Sequence, residues 1–284
     1  MPSLINVTRI TALALVLSAC ATVVDPVPEG SKRITHAWVN NEPVPLLSEH
    51  FGKELTTAAA YRIQYNALHE VPLSRAPDGF KAGLTSAAGQ QQFGINEPIA
   101  GVLPGGSQLK KAEDGYHVKM RDYRKPIVEV EIGYRFAERI QYPLADVNAL
   151  KAVVSEMLPV IELPDLSHAG GDKKFTGVDI IASNAGAKYF IAGPGRAPSV
   201  IDPNSIEITL YRDGEIVTQG GGRDALNDQW QALLFLVNRT LASGWTIQPG
   251  QVLITGALGK AGPLQKGIYV ADYGRFGRIE FFSE

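Results

Sequence analysis

Apolar residues recur at every fourth position in the segment that begins at residue 47. The members of this series are Leu47, Phe51, Leu55, Ala59, Ile63 and Ala67. Their spacing predicts one face of an amphipathic helix of about six turns, which ends before Pro72. A second amphipathic helix is predicted at Trp230–Ser243, where Gly244 ends the pattern, and Leu144–Met157 also has helical spacing.

A period of two replaces the helical spacing in Ile127–Phe136. The face of this predicted strand that carries apolar side chains consists of Val128, Val130, Ile132, Tyr134 and Phe136, and the opposite face carries Glu129, Glu131, Gly133 and Arg135. Further strands are predicted at Asp179–Ala182, Tyr189–Ala192, Ile206–Arg212, Glu215–Gln219, Val252–Thr255 and Ile268–Ala271.

Many strands with few helices between them predict an α+β fold whose core is a mixed β-roll or barrel with helices packed outside it. We expect a helical part at residues 46–95 and the β-roll at residues 96–284. The stretch from Gly79 to Gly106 is rich in glycine and proline and is predicted to form loops with short pieces of structure.

Composition narrows the class of protein only slightly. The chain has 284 residues, of which 45% are apolar and 20% are charged, as in an ordinary globular protein. The formal net charge of −2 offers no basic field, so a nucleic-acid partner is not expected.

The first 20 residues have the pattern of an export signal. Arg9 precedes an apolar run, Ile10–Ala19, that is about half as long as a membrane-spanning helix. Leu17–Cys20 (Leu-Ser-Ala-Cys) resembles the lipobox of bacterial lipoproteins, which implies that Cys20 is lipidated. Residues 1–19 are therefore predicted to be a signal peptide, and the proline-rich residues 20–45 a tether.

The residue after the lipobox bears on location. Ala21 stands where inner-membrane lipoproteins usually have aspartate, so we expect a lipid anchor in the outer membrane, facing the periplasm. The alternative is a misassigned start or a chance cysteine after an apolar run.

Glu129 and Glu131 are the first candidates for chemistry. Residues i and i+2 of a strand point to the same face, about 6.5–7 Å apart. Two carboxylates at that distance repel each other unless water screens them or a cation lies between them. Oxygen ligands of this kind suit Mg²⁺ or Mn²⁺. The alternative is a solvent-facing strand that carries acids.

Glu162 adds a third carboxylate at the end of the apolar run Leu158–Ile161. A carboxylate there would be costly to bury without a partner, and a metal shared with Glu129 and Glu131 would provide one.

Five segments of the chain together resemble the 2-keto-4-pentenoate hydratases of the fumarylacetoacetate hydrolase superfamily. They are Lys81–Ser86 (Lys-Ala-Gly-Leu-Thr-Ser), Gln90–Gly94 (Gln-Gln-Gln-Phe-Gly), Val128–Ile132 (Val-Glu-Val-Glu-Ile), Leu158–Glu162 (Leu-Pro-Val-Ile-Glu) and Leu253–Gly259 (Leu-Ile-Thr-Gly-Ala-Leu-Gly). They occur in the family's order, and the likeness covers about residues 55–280. It implies the β-roll of that superfamily, with residues 46–284 as a single catalytic domain.

The resemblance implies a hydratase, a lyase of aromatic catabolism, that acts on a 2-keto (2-hydroxydienoate) acid through a metal-chelated enolate. Glu129, Glu131 and Glu162 would hold Mg²⁺ or Mn²⁺. Lys81 would move a proton or stabilise the enolate charge, and Thr255 would hold the substrate carboxylate. Leu84, Asn184 and Gly256 would also contact the substrate. Otherwise, Lys81 would be a surface lysine and Thr255 would pack a strand end. Oligomers are common in the family, which leaves a homo-oligomer open.

Three positions depart from the family's pattern. Ile99 replaces an acid that is a proposed partner of the lysine, and Gly186 replaces a serine. Asp228 stands in Asn227–Gln231 (Asn-Asp-Gln-Trp-Gln), where the family has Gly-His-Pro-Leu-Asn. These departures leave two alternatives open. One is a 4-oxalocrotonate-type decarboxylase, and the other is a lipid-anchored 2-oxo-acid-binding protein without catalysis.

If Cys20 is lipidated, cells that express the full chain with labelled palmitate should incorporate the label into the protein. Cys20→Ser should abolish the labelling because it removes the only thiol. An unlabelled, unprocessed product would contradict the export prediction.

Overall fold

The computed structural model describes residues 25–71, 75–169 and 175–284. Cys20 and the predicted signal peptide lie outside these ranges, so the lipid anchor stays a prediction. Within them, no helix combines the length and the apolar character that crossing a membrane requires.

The helices in the described part of the chain are α1 (Pro26–Val39), α2 (Leu47–Phe51), α3 (Thr57–Glu70), α4 (Ala87–Gln92), α5 (Val147–Val153), α6 (Gly177–Ala182) and α7 (Gln229–Ala242). Short 3₁₀ turns at Asn184–Gly186 and Gly222–Asp224 matter for the site described below.

The strands form two sheets. From edge to edge, the larger contains β2 (Ile99–Leu103), β1 (Gly79–Gly83), β9 (Val252–Ile254), β4 (Ile127–Phe136), β5 (Val154–Leu163) and β6 (Tyr189–Ala192), with β10 (Gly262–Pro263) paired to β4. The smaller contains β3 (Tyr116–Val118), β12 (Arg278–Ser283), β11 (Gly267–Asp272), β7 (Glu207–Arg212) and β8 (Glu215–Gly221).

Both sheets mix parallel and antiparallel pairs. β1 runs parallel to β9 and β3 runs parallel to β12, whereas β4 pairs antiparallel with β5 and β9. The α+β prediction is confirmed: the larger sheet is a curled, mixed half-barrel, and helices precede it.

The long antiparallel pair β4–β5 is the centre of the larger sheet. Its apolar side chains are no more than 2% exposed at Val128, Val130, Ile132, Tyr134 and Phe136. The strand predicted at Ile127–Phe136 has the same bounds as β4. The strands predicted around β6, β7, β8, β9 and β11 and the helix predicted around α7 are also present.

The predicted six-turn helix is wrong in one respect, because it is broken between α2 and α3. Gly52 adopts a φ of +55° at the end of α2. Thr56 then starts a new helix, since its side-chain oxygen accepts a hydrogen bond from the Ala59 N–H at 3.1 Å. A glycine with a positive φ, a 3₁₀ turn at Gly52–Glu54 and a new N-cap therefore interrupt an apolar series that continues through both helices.

Two assignments of secondary structure type are wrong. The helix predicted at Leu144–Met157 ends at Val153, because β5 begins at Val154 and pairs with β4. The strand predicted at Asp179–Ala182 belongs to helix α6. Asp179 Oδ2 accepts hydrogen bonds from the N–H and hydroxyl of Thr176 at 2.9 and 2.8 Å and thereby caps this helix.

The tether predicted for residues 20–45 is wrong for Pro26–Val39, which form α1. Asp25 caps the helix by accepting the Val27 N–H at 3.1 Å, and Pro26 occupies its first turn. α1 packs on α3, and Gly30 lies so close to Ile63 that a Cβ there would approach its side chain to 2.6 Å. The proline-rich composition of this segment predicted a tether, although the residues that α1 buries recur at helical spacing: Val27, Gly30, Ser31, Ile34 and Ala37.

The division at residue 95 is not followed either. β1 lies in the segment predicted to be helical, and it pairs with β2 and β9 inside the larger sheet. Sequence patterns also missed β3 and β12.

If α1 is an integral part of the fold, Ile34→Ala should lower the free energy of unfolding by about 2–5 kcal/mol, because the side chain is 0% exposed. Val39→Ala on the same helix is the control. Since Val39 is 64% exposed, its substitution should change stability by less than about 0.5 kcal/mol in denaturant titrations. Equal, small effects of the two substitutions would contradict the packing of α1.

Candidate metal centre and its cavity

Three carboxylates converge on one face of the β4–β5 pair. Glu129 lies directly opposite Glu162 in the strand register, and Glu131 follows two residues along β4. Since alternate residues share a face, the three side chains project together. Their carboxylate oxygens lie within 4.8 Å of one another. The predicted convergence of the three glutamates is therefore present.

The cluster is buried. Glu131 and Glu162 are 0% exposed, and Glu129 is half-buried. The Gly256 N–H donates to Glu131 Oε2 at 2.7 Å. Among the described residues, no group donates a hydrogen bond to Glu131 Oε1 or Glu162 Oε2. Carboxylate oxygens left in this state are costly unless a ligand satisfies them.

Lys81 is the cation that faces the cluster. Its Nζ lies 2.5 Å from Glu162 Oε1 and donates to the Ala185 carbonyl oxygen at 3.1 Å. Burial by itself lowers the pKa of Lys81, but attraction to the three glutamates outweighs burial and raises the net pKa. Lys81 is therefore charged, and with three ionised glutamates the cluster would carry −2.

The glutamates respond to this environment by holding protons more tightly. Burial, followed by repulsion from Glu162, raises the pKa of Glu129 to about 7, while Lys81 opposes the rise. Burial and the charges of its two neighbours raise the pKa of Glu131 well above its usual range. Without a further cation, the cluster is electrostatically unfavourable.

A divalent cation fits these residues. The donors are hard carboxylate oxygens on rigid strands, two of their atoms lack a hydrogen bond within the described structure, and a charge of +2 would neutralise the cluster. Glu129, Glu131 and Glu162 are the residues that could hold it.

The cluster opens into a cavity of about 1000 Å³. Lys81 and Glu129 line it, and apolar walls come from Leu84, Phe93 and Ile99. The cavity thus joins the charged cluster to walls that are partly apolar and partly polar, as in many small-molecule sites.

The predicted substrate contacts separate into two groups. Leu84 lines the cavity, with a φ of +51°, and Gly256 lies at the cluster through its bond to Glu131. Thr255 donates instead to Gln229 Oε1 at 2.7 Å and to the Ile132 carbonyl oxygen at 3.1 Å. Thr255 is not among the described residues that line the cavity. Its predicted contact with the substrate stays a prediction.

Asn184 is also engaged within the protein. Its side-chain oxygen accepts the Val102 N–H at 2.7 Å, and its amide nitrogen donates to the Val102 carbonyl oxygen at 2.8 Å. The side chain contributes to a separate cavity of about 280 Å³. In this structure Asn184 holds the segment that presents the Ala185 carbonyl oxygen to Lys81.

The departures from the family pattern have distinct structural roles. Ile99 is 1% exposed and lines the cavity, so the partner of Lys81 is Glu162 instead of an acid at position 99. Gly186 adopts a φ of +65° beside Leu166. Asp228 caps α7 by accepting the Gln231 N–H at 3.0 Å and is not among the described residues of the cavity.

Sequence patterns missed two features of the site. Gln229 joins β4, the residue after β9 and the turn Gly222–Asp224, since its Oε1 accepts from Tyr134 and Thr255 and its Nε2 donates to the Gly222 carbonyl oxygen. Arg223 and Lys260 line the cavity. Their only signal in the sequence is a glycine-rich stretch followed by charged residues.

Comparisons with known proteins agree on one group of enzymes. No protein-family model matches the chain. The 2-keto-4-pentenoate hydratase of Paraburkholderia xenovorans (strain LB400) is 28% identical over 233 residues, which cover 81% of this chain and 84% of that enzyme. The 2-keto-4-pentenoate hydratase 2 of Dechloromonas aromatica (strain RCB) is 31% identical over 183 residues, which cover 64% and 68%.

A solved structure shows the same fold. The 4-oxalocrotonate decarboxylase from Pseudomonas putida G7, complexed with magnesium and adipate, matches with a TM-score of 0.82 and 23% identity. The match covers 91% of this chain and 97% of that chain.

If the glutamates hold a divalent cation, Mg²⁺ or Mn²⁺ should raise the melting temperature of the protein but not that of Glu131→Gln. The glutamine can still accept the Gly256 N–H, and the variant loses one buried charge. We therefore expect the metal-free variant to melt at or above the temperature of the metal-free parent.

The control is Glu156→Gln, an acid on β5 that pairs with Arg135 at 2.9 Å outside the cluster. It should keep the metal-dependent shift in melting temperature. A full shift in Glu131→Gln would contradict the assignment of Glu131 as a ligand.

Proposed function

Because the chain belongs to the 2-keto-4-pentenoate hydratase and 4-oxalocrotonate decarboxylase family of the fumarylacetoacetate hydrolase superfamily, we propose that it is a metal-dependent hydratase of a 2-keto acid. The substrate would enter as its enol, a 2-hydroxydienoate. The observation that carries the proposal is the buried set of three glutamates beside Lys81 at one end of a cavity.

Glu129, Glu131 and Glu162 would hold Mg²⁺ or Mn²⁺. When bound, the cation supplies a Lewis acid that withdraws charge from the carboxylate and keto oxygens of the substrate. The Gly256 N–H restrains the carboxylate of Glu131 through its 2.7 Å hydrogen bond, so this ligand is oriented by the backbone.

Lys81 is the residue best placed to handle a proton. In the metal-free protein, attraction to the three glutamates raises its pKa, so Nζ carries its proton there. An ammonium group has three N–H donors. The ammonium group of Lys81 faces two acceptors in the protein, the Glu162 carboxylate and the Ala185 carbonyl oxygen. The remaining N–H can face the substrate, where Lys81 either donates its proton or stabilises the negative charge that develops on enolisation.

The apolar walls support the same chemistry. Leu84, Phe93 and Ile99 limit the water around the reacting atoms and lower the local dielectric. Since Ile99 occupies the position of an acid in the family pattern, proton transfer at this end of the cavity depends on the pair of Lys81 and Glu162.

With Mg²⁺ present, the protein should convert 2-hydroxypenta-2,4-dienoate to 4-hydroxy-2-oxopentanoate. One water molecule adds across the C4–C5 double bond, and the enol becomes the ketone as the C2 hydroxyl loses its proton and C3 gains one. It should also exchange the C3 protons of 2-oxopentanoate for deuterium, because enolisation needs only the oxygens of the acid and a proton-transfer group. Lys81→Met should reduce the exchange rate at least about tenfold, the lower end of what a positioned acid or base contributes. NMR measures both reactions.

Lys188→Met is the matched control, since Lys188 pairs with Asp165 at 2.9 Å and is not among the described residues that line the cavity. It should keep the parent's exchange rate. Release of CO₂ from 4-oxalocrotonate without hydration would replace the hydratase by a decarboxylase. Binding of 2-oxopentanoate without any exchange would replace the enzyme by a binding protein.

A further inference from the structure

Two cations lie at the rim of the cavity that contains Lys81 and Glu129. Arg223 comes from the turn after β8, and Lys260 from the loop after β9. Both are exposed. Among the residues that the structure describes, no carboxylate forms an ion pair with either of them. Within residues 25–71, 75–169 and 175–284, the positive charges of these two side chains are thus not neutralised by an ion pair.

The backbones that carry these cations are tied together. Asp224 Oδ2 accepts the N–H groups of Gly221 and Gly259, each at 2.9 Å. The Lys260 N–H donates to Thr218 Oγ1 at 2.9 Å. The turn after β8 and the loop after β9 are therefore joined at the residues next to Arg223 and Lys260.

A second contact fixes the turn against the cavity wall. The Leu226 N–H donates to the carbonyl oxygen of Thr85, which also lines the cavity, at 3.0 Å. Leu226 and Asn227 both have positive φ angles, +51° and +61°. A turn held in this strained shape keeps the start of the Arg223 side chain at a set place on the rim.

Arg223 retains most of its capacity to bind a ligand. Its Nη1 donates to the Asn227 carbonyl oxygen at 3.1 Å. A guanidinium group has five N–H donors in a planar fork, so donors remain for an incoming carboxylate. Asp224 is the nearby acid, but its Oδ2 already accepts two backbone N–H groups.

The size of the cavity leaves room for a ligand that reaches from the glutamates to the rim. Its volume of about 1000 Å³ is at the upper end of small-molecule sites. A 2-oxo acid uses one carboxylate and the keto oxygen at the glutamate end, so an acid with a methyl terminus would leave the two cations without a partner.

Building on the proposed function, we propose that Arg223 and Lys260 form an anion subsite that binds the distal carboxylate of a dianionic 2-oxo acid. The subsite determines specificity: it distinguishes dicarboxylate substrates from monocarboxylates of the same length. The glutamate cluster and Lys81 act on the other end of the molecule.

Calorimetry with Mg²⁺ present tests the subsite with two probes of equal length, 2-oxohexanedioate and 2-oxohexanoate. The dianion should bind about tenfold more tightly, which is the scale of one charge-assisted hydrogen bond. In Arg223→Gln and Lys260→Met, most of this preference should disappear while the affinity for 2-oxohexanoate stays within about twofold.

Two exposed residues provide matched controls. Arg275 lies in a comparable 3₁₀ turn, Gly274–Phe276, and Lys266 lies before β11, and neither is among the described residues of the cavity. Arg275→Gln and Lys266→Met should keep the full preference for the dianion, which separates a local contact from a change in net charge.

The possible failures are distinguishable. Equal affinity for the two acids in the parent protein would overturn the subsite and leave the proposed function standing. A preference that persists in both rim variants would also overturn it. If neither acid binds in the presence of Mg²⁺, the proposed function fails, and the subsite fails with it.

Discussion

The register of the β4–β5 pair is the constraint on which the site depends. Glu129 faces Glu162 across the pair, and Glu131 follows on the same face. A shift of one residue would turn one strand's carboxylate side chains to the opposite face of the sheet. Buried apolar residues on both strands hold the register, and the Tyr273 hydroxyl donates to the Val160 carbonyl oxygen on β5 at 2.6 Å.

Three like charges in the interior require neighbouring segments to supply positive charge and hydrogen-bonding groups. β1 contributes Lys81, the loop after β9 contributes the Gly256 N–H, and the turn at Asn184–Gly186 contributes the Ala185 carbonyl oxygen. Gly256 has a φ of +105°, and a Cβ there would lie 2.4 Å from Thr85 Oγ1, so glycine is required. Local strain and like-charge repulsion persist together here, as they do at functional sites.

The two ends of the cavity differ in how rigidly the structure holds their charged side chains. At the inner end, buried strands hold the glutamates and Lys81, and Leu84, Phe93 and Ile99 supply apolar walls. At the rim, exposed side chains project from turns that Asp224 joins through backbone hydrogen bonds. Chemistry therefore depends on the rigid sheet, whereas the choice among related acids can change with a few residues in turns.

Local patterns in the sequence determined the type and position of several strands and helices. The period of two in Ile127–Phe136 defines β4, and the helical spacing at Trp230–Ser243 defines α7, because each element buries one regular face. The five motifs taken together also identified the family and the three glutamates.

Tertiary packing determined the secondary structure where local sequence signals were weak or in conflict. The strand β5 begins inside a predicted helix because pairing with β4 outweighs helical spacing. Helix α1 forms inside a proline-rich segment that was predicted to be a tether, because one of its faces packs on α3. Only the fold brings Lys81 and the two rim cations to one cavity and the Gly256 N–H to Glu131, since these groups are far apart in the chain and no spacing rule joins them.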